Sequence, residues 1–103
     1  KAEDLGLTET EYAFRNILVA EITKKAEGET LNEETHEKVK IVVQSLVEMM
    51  DESSKIVGFF DKWDEVKRVK KDIKRTVIDE FDDLKLVKPV TDRFMELAEV
   101  KFK

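Results

Sequence analysis

Glu33-Glu-Thr-His36 places a glutamate and the only histidine of the chain three residues apart. In a helix that spacing sets two metal ligands on one face, as in di-metal carboxylate bundles. Those sites need the motif twice, with further glutamates, and a chain with one histidine has no second copy. A surface histidine in the first turn of a helix is the simpler reading. Asp79-Glu-Phe-Asp-Asp83 concentrates carboxylates, but a calcium loop starting there needs a glycine at its sixth position and a glutamate at its twelfth, and has neither. Paired carboxylates could exchange protons only in a pocket, and nothing in the pattern builds one. Ser45, Ser53 and Ser54 have no recognisable base partner, and no phosphate-cradling or nucleophile-elbow glycine motif occurs. No catalytic, cofactor-binding or metal-binding residue is expected in these residues.

The remaining candidate is Glu65-Val-Lys-Arg-Val-Lys-Lys-Asp-Ile-Lys-Arg75, with six bases in eleven positions of a chain whose net charge is −5. Residues 61–79 are the only positive segment, at +2; the stretches before and after are negative. Arg68 has Asp64 and Asp72 four residues away, and Arg75 has Asp72 and Asp79 at three and four. Such pairs stabilise a helix by a few tenths of a kcal/mol each, so both arginines are expected to be occupied. Lys70 lies beside the apolar arc, where its stem can cover the core edge. Lys67, Lys71 and Lys74 are left as a basic stripe. A solvated face is the ordinary reading of such a stripe; contact with DNA phosphates is the functional one. Three lysines would release about three counterions, giving weak binding that ignores base sequence.

The elements that carry these residues follow from periodicity. Thr8 and Glu11 have capping-box spacing, and a helix over 9–27 follows, stopped by Gly28. Phe14, Ile17, Leu18 and Ile22 share one arc; Tyr12 and Val19 lie on another. Asn32 caps a helix over 33–52 whose Val39, Val42, Val43, Leu46, Val47 and Met50 make one face, with Ile41 pointing the opposite way. Residues 53–60 read as a short extended connection whose Ile56, Phe59 and Phe60 plug the core. Asp61 is expected to cap a third helix over 62–82, with Trp63, Val66, Ile73, Val77, Phe81 and Leu84 on its apolar face. Pro89 suits the first position of a last helix, 89–102, with Val90, Phe94, Leu97, Ala98 and Phe102 inward. The expected fold is an all-α antiparallel bundle of about four helices with one short extended connection near residues 53–60, forming a single domain over 1–103.

Composition agrees. Charged residues make up 42% of the chain, well above the usual ~25%, and suit long solvated helices. Three glycines and one proline argue against a turn-rich β fold. There is no cysteine, which excludes disulfides and thiolate metal sites and is compatible with the cytosol. No apolar run approaches the roughly 18 residues of a membrane span, so no membrane partner is expected. The chain opens without a methionine and enters a motif at once, as a piece of something longer would.

Three stretches, Glu3-Asp-Leu-Gly-Leu-Thr-Glu-Thr-Glu-Tyr-Ala-Phe14, Phe59-Phe-Asp-Lys-Trp-Asp-Glu-Val-Lys-Arg-Val-Lys-Lys-Asp-Ile73 and Val90-Thr-Asp-Arg-Phe-Met-Glu-Leu-Ala98, occur in an order that resembles the C-terminal helical domain of the motor-and-nuclease (R) subunit of type I restriction enzymes. Trp63 departs from the family pattern, which often has a proline there, and residues 26–50 share only helical character. The resemblance implies a parent chain that is an ATP-dependent type I site-specific deoxyribonuclease using ATP and Mg, in the cytoplasm of a bacterium or archaeon. This domain would hold no cofactor. It would dock that machine onto the methyltransferase and specificity subunits, with duplex DNA as a weak further partner. On this reading Tyr12, Val19 and Ile41, the apolar residues off the core arcs, are the candidates for partner contact, and Lys67, Lys71 and Lys74 for DNA phosphate contact. A free-standing helical adaptor that binds an acidic protein surface is the alternative; a small enzyme is a third class, disfavoured by the missing motifs.

Overall fold

The computed structural model describes residues 1–27 and 30–103. Four long helices, α1 (Glu9–Lys25), α2 (Glu33–Ser54), α3 (Trp63–Phe81) and α4 (Leu84–Phe102), follow one another, with short 3-10 turns at Glu3–Leu5 and Phe59–Asp61. No strand occurs among the described residues. Each helix packs on the next, and α4 closes back onto α1, so the chain is an all-helical four-helix bundle.

The α1–α4 seam shows the antiparallel sense directly. Phe14, near the start of α1, meets Phe94 edge-to-face at 5.0 Å and stacks with Phe102, at the end of α4, at 6.3 Å. Further along, Arg93 donates to Glu21 at 2.9 Å, and Lys25 at the end of α1 pairs with Asp83 at the start of α4. The aromatic contacts supply most of this seam's stability: a T-shaped pair adds about 0.5–1.5 kcal/mol beyond its buried area, whereas an exposed ion pair adds about 0–1. Glu21 is different, because it is buried on the inner side of α1. A buried carboxylate is tolerated only with a charged partner, and Arg93 is that partner.

The helix starts follow local chemistry where side chains reach the backbone. Thr8 and Glu11 form the full capping box, and Asn32 accepts from the Thr35 N–H at 2.8 Å. The α2 face falls into the core as its periodicity predicts, from Val39 to Met50. Gly28, the expected stop of the first helix, lies outside the described residues; α1 is capped at Ala26.

Several expectations are corrected. Residues 53–60 are not extended: α2 runs through Ser54, a turn with Gly58 in the left-handed region (φ 69°) follows, and Phe59–Asp61 is a 3-10 turn. Its Phe59 is nevertheless buried and plugs the core. Asp61 does not cap α3, because it belongs to the 3-10 turn and the helix starts at Trp63, one residue too late for it; Lys62 stands at the cap position with no side-chain bond. Trp63 does not face the core. It is 74% exposed, since Phe59, with Phe60 against it at 5.0 Å, already fills this end of the bundle. Leu84 is also exposed, and the inner face of α3 is Val69, Ile73 and Val77.

Pro89 is not the first residue of the last helix. Asp82 adopts the left-handed conformation (φ 49°) that aspartate tolerates, the chain reverses, and Asp83 caps α4 by accepting from the Lys85 N–H at 3.0 Å. The helix continues through Pro89 because Leu86, Val90 and Phe94, four residues apart, are all buried on one side. That burial outweighs the single backbone hydrogen bond a proline nitrogen cannot donate.

Asp83 thus serves two partners. The Lys25 hydrogen bond, followed after an opposing desolvation by the Lys85 N–H and the charges of both lysines, holds its carboxyl below the usual aspartate range. A group whose folded pKa is depressed stabilises the fold above its unfolded pKa and loses that contribution as pH falls through the folded value. Asp83→Asn keeps a good cap residue and removes the charge. Urea unfolding should find the variant less stable than the parent at neutral pH, and the two should converge in acid once Asp83 is protonated; a difference independent of pH would exclude the ion pair as its cause.

Candidate nucleic-acid interface

The buried contacts of Val69, Ile73 and Val77 fix the rotation of α3, and with it which charges face water. At about 100° per residue the helix surface divides into three lanes. The first is the core lane. The second carries Glu65, Arg68, Asp72 and Arg75, bonded to one another: Arg68 lies 3.2 Å from Glu65 and 3.7 Å from Asp72, and Arg75 lies 3.9 Å from Asp72. Both arginines are occupied as expected, but Arg68 uses Glu65 in place of Asp64, and Asp79 takes no part. The Arg68 guanidinium also donates to Ser53 at 3.3 Å, tying α3 to the end of α2.

The third lane carries Trp63, Lys67, Lys70, Lys71 and Lys74 within an arc of about 100°. All five are exposed. No carboxylate lies within 4.0 Å of any of the four ammonium groups among the described residues. Lys67 does not turn to Asp64; its ammonium sits 4.8 Å from the centre of the Trp63 ring, a cation–π contact worth about 0.5–1 kcal/mol at an exposed site. The expected stripe of Lys67, Lys71 and Lys74 is therefore present, and it is longer than expected by one aromatic ring at its head.

The four lysines form one wall of a shallow groove between α3 and α4, about 250 Å³ in volume. Val87 and Thr91 of α4 line the other side, and Lys88 and Asp92 stand at its rim. Lys88 is engaged by Asp92 at 2.9 Å, a hydrogen bond that, with the charge of Asp92, raises its pKa. Lys70 also lines a neighbouring groove that holds Asp92, Glu96 and Glu99, so its charge is shared with an acidic surface. Lys67, Lys71 and Lys74 face only Asp92 across their own groove, and that carboxylate is engaged by Lys88.

The apolar candidates are placed differently from one another. Ile41 is 59% exposed on the outer side of α2. Tyr12 is half-buried with the Arg15 guanidinium 5.8 Å from its ring centre. Val19 is half-buried and packs against the core, so it has less surface to offer a partner than its position on the helical wheel suggests. His36 is exposed and lines a cavity with Asp4, Arg15, Glu37 and Lys40, where opposite charges alternate and no nucleophile–base pair forms. No group of three histidine, aspartate or glutamate side chains converges as metal ligands among the described residues, and no helix is long and apolar enough to cross a membrane.

Sequence reasoning missed Trp63 as a surface residue because its angle on α3 lies at the edge of the apolar arc. The signal that was available is its position one residue into the helix, where the bundle has already ended. Glu21 was missed too, since nothing local distinguishes a buried glutamate from an exposed one.

Among the described residues one buried side-chain polar atom lacks a hydrogen-bond partner, the Thr91 hydroxyl beneath the lysine groove. Leaving such a group unpaired costs about 1–3 kcal/mol, while replacing it by an apolar group of the same shape removes the cost. Thr91→Val should raise the unfolding free energy by about 1 kcal/mol in a denaturant titration; a loss of similar size would mean that the hydroxyl holds a bond.

Comparison of the chain with family models, with curated proteins and with solved structures finds no match.

Proposed function

We propose that this chain is a non-catalytic assembly domain of the kind that closes the R subunit of type I restriction enzymes. In that role it docks an ATP-dependent DNA translocase and nuclease onto its methyltransferase and specificity subunits, and it touches DNA phosphates without reading bases. The docking role rests on the three stretches that resemble that family. The phosphate contact rests on one observation, the exposed lane of Lys67, Lys71 and Lys74, none of which has a carboxylate within 4.0 Å among the described residues. An acidic protein has no need to keep three like charges together for solubility, because charges of either sign serve that purpose; an uncompensated row of one sign favours a polyanion. ATP and Mg belong to the parent enzyme on this reading and have no residues here.

The partner face is assigned to Ile41, the exposed member of the three apolar candidates Tyr12, Val19 and Ile41. Capture of a methyltransferase–specificity complex by the immobilised domain should fall at least tenfold for Ile41→Asp, and undiminished capture would remove Ile41 from the interface. Reversal of all three lysines to glutamate should abolish the mobility shift of duplex DNA. For the unsubstituted domain, the logarithm of the affinity should fall with the logarithm of salt concentration with a slope of roughly −3. A free-standing adaptor for an acidic protein surface would instead show a charge-dependent protein partner and no DNA shift.

A further inference from the structure

We infer that Trp63 is a base-stacking platform, and that the edge it forms with Lys67, Lys71 and Lys74 takes unpaired, single-stranded nucleic acid in preference to duplex. This deepens the phosphate-contact reading above and rests on it.

The argument starts from exposure. Tryptophan is on average a highly buried residue, and this one is 74% exposed on a helix whose buried side is complete without it. Its neighbours on the surface are cationic. Lys67, Lys71 and Lys74 share its side of α3, and the Lys67 ammonium lies 4.8 Å from the ring centre, which restrains the indole without burying it. From Trp63 to Lys74 the lane runs about 16 Å at 1.5 Å per residue, long enough to follow a short stretch of backbone. Two acids of α3 are held in the arginine lane, Glu65 bonded to Arg68 and Asp72 ion-paired with Arg68 and Arg75, while Asp79 and Glu80 lie beyond Lys74 toward the far end of the helix. Asp61 and Asp64 flank the head of the helix, and their charge argues against a phosphate directly beside the ring, where a neutral base would lie.

An exposed aromatic face at one end of an unpaired basic row matches a ligand that offers a phosphate backbone and free base faces together. A single strand offers both. A duplex hides its base faces within the stack, an acidic protein surface has no array of planar rings, and a sulfated sugar has charge alone. Stacking of a base on an aromatic side chain tolerates any sequence because every base has a π-face, which agrees with the absence of base-reading side chains along the lane.

Trp63 is the only tryptophan of the chain, so its own fluorescence reports the contact. Titration of the protein with a short oligothymidylate should quench that emission, while heparin, a polyanion without bases, should bind with little quenching. By anisotropy of a labelled strand, the oligothymidylate should bind several-fold tighter than a duplex of the same length. Trp63→Ala should weaken oligothymidylate binding about tenfold with heparin affinity unchanged, and Trp63→Phe should restore most of the loss. Equal affinity for the duplex, equal quenching by heparin, or an unaltered Trp63→Ala affinity would each overturn the stacking assignment. If Trp63→Ala leaves oligothymidylate binding intact while lysine reversal abolishes the duplex shift, the phosphate edge stands and the stacking fails. If the unsubstituted protein binds neither nucleic acid, both fall.

Discussion

The rotation of α3 about its own axis is the constraint on which the surface of this protein depends. Val69, Ile73 and Val77 are completely buried between α2 and α4, and burying side chains of this kind contributes roughly 1.5–3 kcal/mol each. Turning the helix by one residue would expose them and push lysines inward. The same three contacts therefore decide that the ion-paired arginines lie on one flank and the unpaired lysines on the other. No interaction among the lysines themselves could achieve this, since like charges on neighbouring turns repel by a few tenths of a kcal/mol and have no preferred direction.

The two flanks of α3 illustrate how the same residue types reach different ends. Arg68 and Arg75 sit three and four residues from carboxylates and are bonded along the helix. Lys67 has an aspartate at the same kind of spacing but lies over an aromatic ring instead. Exposed ion pairs of this sort are nearly neutral in energy, so a cation–π contact of comparable strength suffices to take the lysine away. Weak interactions along a helix are settled by which side chain is placed closest, and that placement follows from the rotation set by the core.

The α1–α4 seam combines an apolar interlock with a polar register. Phe14, Phe94 and Phe102 supply contact area but could slide; the buried Glu21 and its Arg93 partner specify one alignment, because a shift of either helix would leave a desolvated carboxylate with only its long 3.9 Å contact to Lys24. The functional proposal, by contrast, rests on a resemblance of three short stretches and on the lysine lane. One supports the docking role and the other the polyanion contact, and they overlap at Lys67 and Lys71, which lie within the second stretch.

From its sequence alone the chain determined that it folds into four long helices. The 3.6-residue spacing of apolar side chains in α1 and α2, the caps at Thr8 and Asn32, and the pairing of Arg68 and Arg75 are local, and each was legible because its partners lie within four residues. Tertiary structure alone decided the rest. Trp63 is exposed because Phe59 reaches the end of the core first. Pro89 lies inside α4 because Leu86, Val90 and Phe94 must all be buried together. Glu21 is buried because Arg93, 72 residues away, arrives to neutralise it. In each case the outcome depends on what the other helices bring to the same volume, and a helical wheel, which holds one helix at a time, has no term for that.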